Sequence, residues 1–278
     1  KPTDFIFNHQ LPIRTPGIQT TTANASITNS GSISTTGDYA TAIMSWGADV
    51  SINNGGAILT TGYNARGISS FSTDAVLNNS GTVSTTGRNA DGISLSGIGV
   101  NLNNSGTIST VGDLSSGIRS YSEKVAINNS GNISTSGVEA HSIELIGADA
   151  TINNKGHISA TGSNSYAILG ESNDITLNLY PGSEIIGRID LGDAGGDHDI
   201  VNIFDVDGSP STRLVFENTE EISFFNGNGW AVNTDQVPDA SHITPPMSPL
   251  RDGNQQNKVD LSIHLTAGFP LASINSPY

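Results

Sequence analysis

The sequence predicts an all-β chain wound as a right-handed parallel β-helix, a solenoid with three strands per 25-residue coil. Three observations predict it: a motif that returns every 25 residues, apolar residues that alternate in short β-branched runs, and opposite charges that fall 25 residues apart.

The period comes first. Ile27-Thr28-Asn29-Ser30-Gly31-Ser32-Ile33 returns as Ile52-Asn53-Asn54-Gly55-Gly56-Ala57-Ile58, and again from Leu77, Leu102, Ile127 and Ile152, without an insertion. Gly37, Gly62, Gly87, Gly112, Gly137 and Gly162 form a second column, and Ile43, Ile68, Ile93, Ile118, Ile143 and Ile168 a third. Six coils are therefore expected between about residues 27 and 176. Coils of a solenoid stack at a strand spacing of about 4.8 Å, so columns become ladders and six coils make a rod on the order of 29 Å long.

Within a coil, Val100-x-Leu102 and Val125-x-Ile127 alternate as strands do. Three such runs fit in the second coil, around 50–53, 56–60 and 67–71, with turns at the Asn-Asn pair, at Gly62 and after Phe71. The aliphatic columns through Ile27, Ile33 and Ile43 are expected inside. Ala42, Gly67, Gly92, Gly117, Ser142 and Ala167 mark a tight corner. Asn29, Asn54, Asn79, Asn104, Asn129 and Asn154 are expected to form an amide ladder that also bridges the turn. Such stacking explains Asn78, Asn103 and Asn128 better than the Asn-x-Ser glycosylation motif they also spell.

Charge tests the register, because residues 25 apart must meet. Arg66 is placed on Asp91, Arg88 on Asp113, Arg119 on Glu144 and Lys124 on Asp149; only Lys155 lacks an acid on the next coil. Acidic residues number 26 in 278, so the coincidence supports the register. Exposed pairs of this kind contribute only about 0–1 kcal/mol each.

Five segments are expected: a cap or boundary at 1–24, the regular coils at 25–176, irregular coils at 177–233, a Pro-rich linker at 234–258 and a strand-like tail at 259–278. Past Ile175 the period loosens, although Leu177-x-Leu179, Ile189-x-Leu191, Val201-x-Ile203 and Leu214-x-Phe216 keep the alternation. Pro238, Pro245, Pro246 and Pro249 give the linker its composition, and Val259-x-Leu261-x-Ile263-x-Leu265 alternates after it.

Composition narrows the function classes. Aromatic content is 6%, too little for a core packed with large rings. A net charge of −15 argues against nucleic acid and against an anionic membrane surface. With no cysteine there is neither a disulfide framework nor a thiolate metal site. No run of about 18 apolar residues and no basic-then-apolar leader occurs, so a signal peptide or anchor is expected to lie outside this sequence.

The unit I-N-N-S-G-x-I-S-T-x-G at Ile127 to Gly137, followed by L-N-L-Y-P-G-S-E-I-I-G-R-I-D-L-G at Leu177 to Gly192, resembles the passenger region of bacterial autotransporters over roughly residues 25 to 235. The resemblance implies a chain displayed at the bacterial cell surface or secreted, exported through a C-terminal outer-membrane β-barrel that this chain does not contain. Its usual work would be adhesion or aggregation, on a host surface glycan or matrix protein or on another copy of itself. The tail after Val237 departs from the family, lacking the helical segment expected to thread a barrel.

Candidate contact residues follow from the columns. Trp46, Phe71, Ser96, Tyr121, Ile146 and Glu171 share one phase, which by alternation from the inward Ile43 phase points outward. Exposed rings in a row offer a contact surface, although they also pack a corner. Stacking brings Asp49 over Asp74, and Asp149 over Asp174, at about one strand spacing. Two acids so placed could serve a retaining glycosidase, but a hydrated corner is the preferred reading. The loop after Gly37 varies between coils, with Tyr39 and Tyr63 among its residues, where specificity or drift would concentrate.

Asp193, Asp197 and Asp199 lie in an Asp/Gly-rich run with some likeness to calcium-binding repeats, but one copy leaves an oxygen cage incomplete. No cofactor is implied. There is no Gly-x-Ser-x-Gly elbow and no phosphate-cradling loop, and the six His residues lack metal-ligand spacing. The reading is thus a non-catalytic adhesin or self-association module, with a glycan-degrading lyase or hydrolase as the alternative. An ice-binding solenoid, prompted by rows such as Ser34/Thr36 and Ser84/Thr86, is disfavoured by Leu59 and Val111.

Overall fold

A computed structural model of the chain describes residues 16–171, 174–192 and 199–204 in full, together with the strands Phe7–Asn8, Val215–Glu217, Glu221–Phe225, Ala231–Gln236, Ile243–Thr244 and Asp260–His264. Each coil contributes one strand to each of three parallel sheets of eight, nine and ten strands, giving a three-sided parallel β-solenoid of about seven turns. In the first two coils, sheet A takes Ser32–Thr35 and Ala57–Thr60, sheet B Ile43–Ser45 and Ile68–Ser70, and sheet C Ser26–Asn29 and Ser51–Asn54.

The register follows the 25-residue step through the regular coils: Ile27 pairs with Ile52, then Leu77, Leu102, Ile127, Ile152 and Leu177 in turn. These residues alternate inward with the Ile33, Ile43 and Val50 columns to form one continuous aliphatic core. Burying each such side chain stabilises the fold by about 1.5–3 kcal/mol. Sheet B begins one coil before the motif does, since Ile18–Thr20 pairs with Ile43–Ser45. Ile18 occupies the Ile43 phase inside the stretch read from sequence as a cap.

Past Leu177 the step changes from sheet to sheet. Ile158 pairs with Ile185, 27 residues on, while Ile168 pairs with Ile189, 21 on, and Leu177 with Val201, 24 on. Corners of unequal length absorb the differences while the inward residues keep their partners. Ile243–Thr244, within the Pro-rich stretch, pairs with Glu221–Phe225 at the end of sheet C, and Asp260–His264 pairs with Ala231–Gln236.

Most polar side chains that enter the interior find partners, Ser122 Oγ being an exception among the described residues. Thr35, Thr60, Thr85, Thr110 and Thr135 are buried, and each hydroxyl donates to the carbonyl five residues on at 2.5–2.7 Å, which ties the loop after sheet A to its strand. Ser45 donates to Ser70 at 3.0 Å, and Ser72 to Ser45 at 2.9 Å. The corner glycines are required: a Cβ on Gly56, Gly81, Gly106, Gly131 or Gly156 would collide with the carbonyl oxygen of the glycine one coil before.

Two columns per coil adopt the left-handed conformation. One runs Asn24, Asp49, Asp74, Gly99, Lys124, Asp149 and Asp174; the other runs Tyr39, Asn64, Asn89, Leu114, Glu139 and Asn164, all at φ between 52° and 70°. Asn, Asp and Gly are the residues that tolerate this region, which accounts for their prevalence in both columns.

Candidate functional site

Asparagine occupies two adjacent ladders on the last residues of the sheet C strands. In the buried inner ladder Asn29 Nδ2 donates to Asn54 Oδ1 at 2.7 Å, and the chain of amides continues through Asn79, Asn104 and Asn129 to Asn154. The second N–H of each amide turns to a backbone carbonyl, as Asn54 does to Thr82, so the orientation is fixed. The outer ladder runs the other way: Asn78 donates back to Asn53, Asn103 to Asn78, Asn128 to Asn103, Asn153 to Asn128 and Asn178 to Asn153, at 2.8–2.9 Å. The inner ladder is the one expected from sequence. The outer one was read there only as the competitor of a glycosylation motif.

Beside the outer ladder lies a groove of about 560 Å³, floored by amides and by the hydroxyls of Ser80, Ser105 and Ser130. It ends at Lys155, whose Nζ stands 5.1 Å above the Tyr180 ring. Tyr180 stacks in turn on Phe204, with centroids 4.7 Å apart. Lys155 thus meets a ring, not an acid, 25 residues on. The 25-residue spacing from Lys155 to Tyr180 is present in the sequence, but it carries no charge complementarity to mark it.

The other expected aromatic surface lies at the corner after sheet B. Trp46, Phe71 and Tyr121 are 42%, 41% and 46% exposed, and Trp46 and Phe71 stack nearly parallel with centroids 5.7 Å apart. Ser96 leaves a gap between Phe71 and Tyr121. Tyr39 and Tyr63 meet edge to face at 5.5 Å on the loop after sheet A, where Asn89 Nδ2 donates to the Tyr63 hydroxyl at 3.2 Å. Asp38 accepts from the Tyr63 amide at 2.9 Å, which secures that loop to its neighbour.

Asp49 and Asp74 sit at left-handed corners, φ 55° and 53°, beside the aromatic edge. The carboxylate of Asp74 leans over Gly99, where a Cβ would collide with it. Asp199 is buried and accepts from the Ile175 amide at 2.7 Å, so one of its oxygens caps backbone. Asp193 and Asp197 lie outside the described residues. Among the described residues no group of three or more His, Asp and Glu is arranged to hold a metal.

Charge stacking is partly as expected. Arg66 Nε bonds Asp91 at 3.2 Å, and Arg119 Nε bonds Glu144 at 2.7 Å while its Nη1 reaches Asp91 at 3.5 Å. The four residues form one chain of alternating charge, Arg66 and Asp91 on the loop that leads into sheet B and Arg119 and Glu144 on its strands. Arg88 with Asp113, and Lys124 with Asp149, are not among the ion pairs of the described residues. Asp113 instead accepts from the Val138 amide at 2.9 Å, and Lys124 and Asp149 stand on left-handed corners. Burial raises the Asp91 carboxyl above the usual carboxylate range, against the pull of Arg119 and Arg66. Burial also lowers His141, whose Nδ1 accepts from the Tyr166 amide at 3.1 Å.

Fold and surface together define a three-sided parallel β-solenoid with an aromatic edge at one corner and an amide-lined groove at another. Compared with known proteins, the chain matches no family model, no curated protein and no solved structure.

Proposed function

We propose that this chain is the surface-displayed β-helical passenger, or stalk, of a bacterial autotransporter, and that it acts in adhesion, either to host glycan or matrix protein or to copies of itself on neighbouring cells. The observation that carries the reading is the Trp46 and Phe71 stack, two large aromatic rings that lie nearly parallel on successive coils, outside the core and about two-fifths exposed. Rings so placed offer apolar area at low entropic cost on association. The left-handed corners account for Asp49 and Asp74 without catalysis, which favours adhesion over a glycan-degrading enzyme.

Displaying the chain on otherwise non-adherent cells tests the reading. Differently labelled cells should clump together or bind matrix- and glycan-coated surfaces. Trp46→Ser with Phe71→Ser should abolish this while the fold persists, because Ser96 already occupies that column. Display without clumping or binding, or an unchanged phenotype in the double variant, would refute it.

A further inference from the structure

We propose that the outer amide ladder is a binding groove for an extended, equatorially linked oligosaccharide that carries a carboxylate, seated along the third to sixth coils with its acid on Lys155. The site lies at a different corner from the aromatic edge and does not rest on the adhesion reading.

Charge is the first observation. Within the six regular coils, every Asp and Glu falls on the loop after sheet A, on sheet B or on the corner after it. Sheets C and A and the corner joining them carry only Asn, Ser, Thr, Gly and aliphatic residues, apart from Lys155 and His157. The overall charge of −15 would repel an acidic ligand, but screening confines that repulsion to about 8–10 Å; the acids of the regular coils lie on other faces, and Glu184, on sheet A beyond them, is engaged with His157 at 2.7 Å. The groove itself has no carboxylate in its lining.

Hydrogen-bonding capacity is the second. Each outer amide uses one N–H and one acceptor position within the ladder, and the remaining N–H of Asn78, Asn103 and Asn153 has no acceptor among the described residues. The groove therefore offers an acceptor at each coil from the third to the sixth, about 4.8 Å apart, and a spare amide donor at all of these but the fifth, where Asn128 also donates to Asn101, beside a row of serine hydroxyls. Sugar hydroxyls are both donors and acceptors, and each sugar of an extended equatorially linked chain advances by close to one coil. A periodic ligand is thus matched rung by rung, where a folded protein surface would present no such repeat.

The third observation is the terminus. Lys155 closes the groove, held over Tyr180, with no carboxylate at ion-pair distance among the described residues. Tyr180 has one face under Lys155 and the other on Phe204, so the stack is a rigid wall that presents the ammonium to the groove. A carboxylate there would gain a charge-assisted hydrogen bond.

Titration of the ¹⁵N-labelled chain with hyaluronan hexasaccharide, which alternates carboxylate and acetamido sugars, tests the site. The side-chain amide signals of Asn78, Asn103 and Asn153 should shift. Lys155→Gln should weaken binding by about tenfold, the contribution of one hydrogen bond to a charged group. Ser105→Tyr should abolish binding by filling the groove, and it should fold because Tyr180 stands in the same column. Trp46→Ser should bind as the parent does. Absence of amide shifts, shifts that persist in Ser105→Tyr, or equal binding of the uncharged chitohexaose would overturn the assignment. Loss of binding in Trp46→Ser would also overturn it, moving the sugar to the aromatic edge. Cell clumping is read separately, so either proposal can fail alone.

Discussion

Asn103 and Asn104 are neighbours in sequence, identical in chemistry and each a rung in a ladder of amides, yet truncating them should cost very different amounts. Asn104 is 1% exposed, accepts from Asn79 at 2.8 Å and donates to Asn129 at 2.8 Å. Asn104→Ala strands a buried N–H on Asn79 and a buried carbonyl on Asn129, with no water to replace the lost partner. Each stranded group costs about 1–3 kcal/mol, so the substitution should destabilise by about 2–6 kcal/mol. Asn103 makes the same two ladder bonds at 2.8 and 2.9 Å, but beside a groove open to solvent, where water satisfies the orphans. Asn103→Ala should cost about 0.5–1.5 kcal/mol, a net hydrogen-bond contribution. Denaturant unfolding of the parent and both variants, followed by circular dichroism, gives the comparison. A stacked array need not unfold in one step, so amide exchange at Thr107 and Asn132 should be read alongside. Equal losses in the two variants would refute the assignment of one ladder to the interior and the other to the surface.

Three further outcomes are expected. Leu114→Asn, at φ 56° in a column that holds Asn64, Asn89 and Asn164, should stabilise the chain by about 1 kcal/mol in the same unfolding measurement. Arg119→Met removes the one ion-pair partner of Glu144 among the described residues and one of two on Asp91, and should lower stability by about 3–5 kcal/mol, because Glu144 is left in a largely buried site with only the Ser116 hydroxyl and Asp91 with Arg66 and the Ser116 amide. His141 is held neutral by burial, with Glu144 and Glu139 opposing and Arg119 and Arg188 reinforcing the shift. Its folded pKa lies below the unfolded one, so its contribution is complete above the ordinary imidazole range and is lost as pH falls through the folded value. Unfolding stability should therefore fall as pH drops below the ordinary imidazole range, and His141→Ser, the residue at Ser116 of the same column, should flatten that slope.

Period, register and core were legible because every coil poses the same problem and answers it with the same residue types: Ile27 to Leu177 and Ile43 to Ile168 each repeat at a fixed step. Hidden features were those in which one residue type serves two ends. Asp49 and Asp74 read from sequence as a hydrated corner or an acid pair, and the left-handed backbone that asks for Asp there has no separate signature in the pattern. Arg88 and Asp113 share a register without an ion pair, because stacking fixes the backbone while the side chain of Asp113 turns to the Val138 amide. Changes of step past Leu177 were not legible either, since corner length varies while the inward residues alone carry the pattern.

The opposed directions of the two amide ladders bear on how long such a rod can grow. A single row of aligned dipoles would build partial charge at its tips, positive at one and negative at the other, as a helix does. Paired rows pointing oppositely leave almost none, whatever the number of rungs. Whole coils can therefore be added or removed without changing what the tips must neutralise, so the amide ladders set no preferred length for the rod.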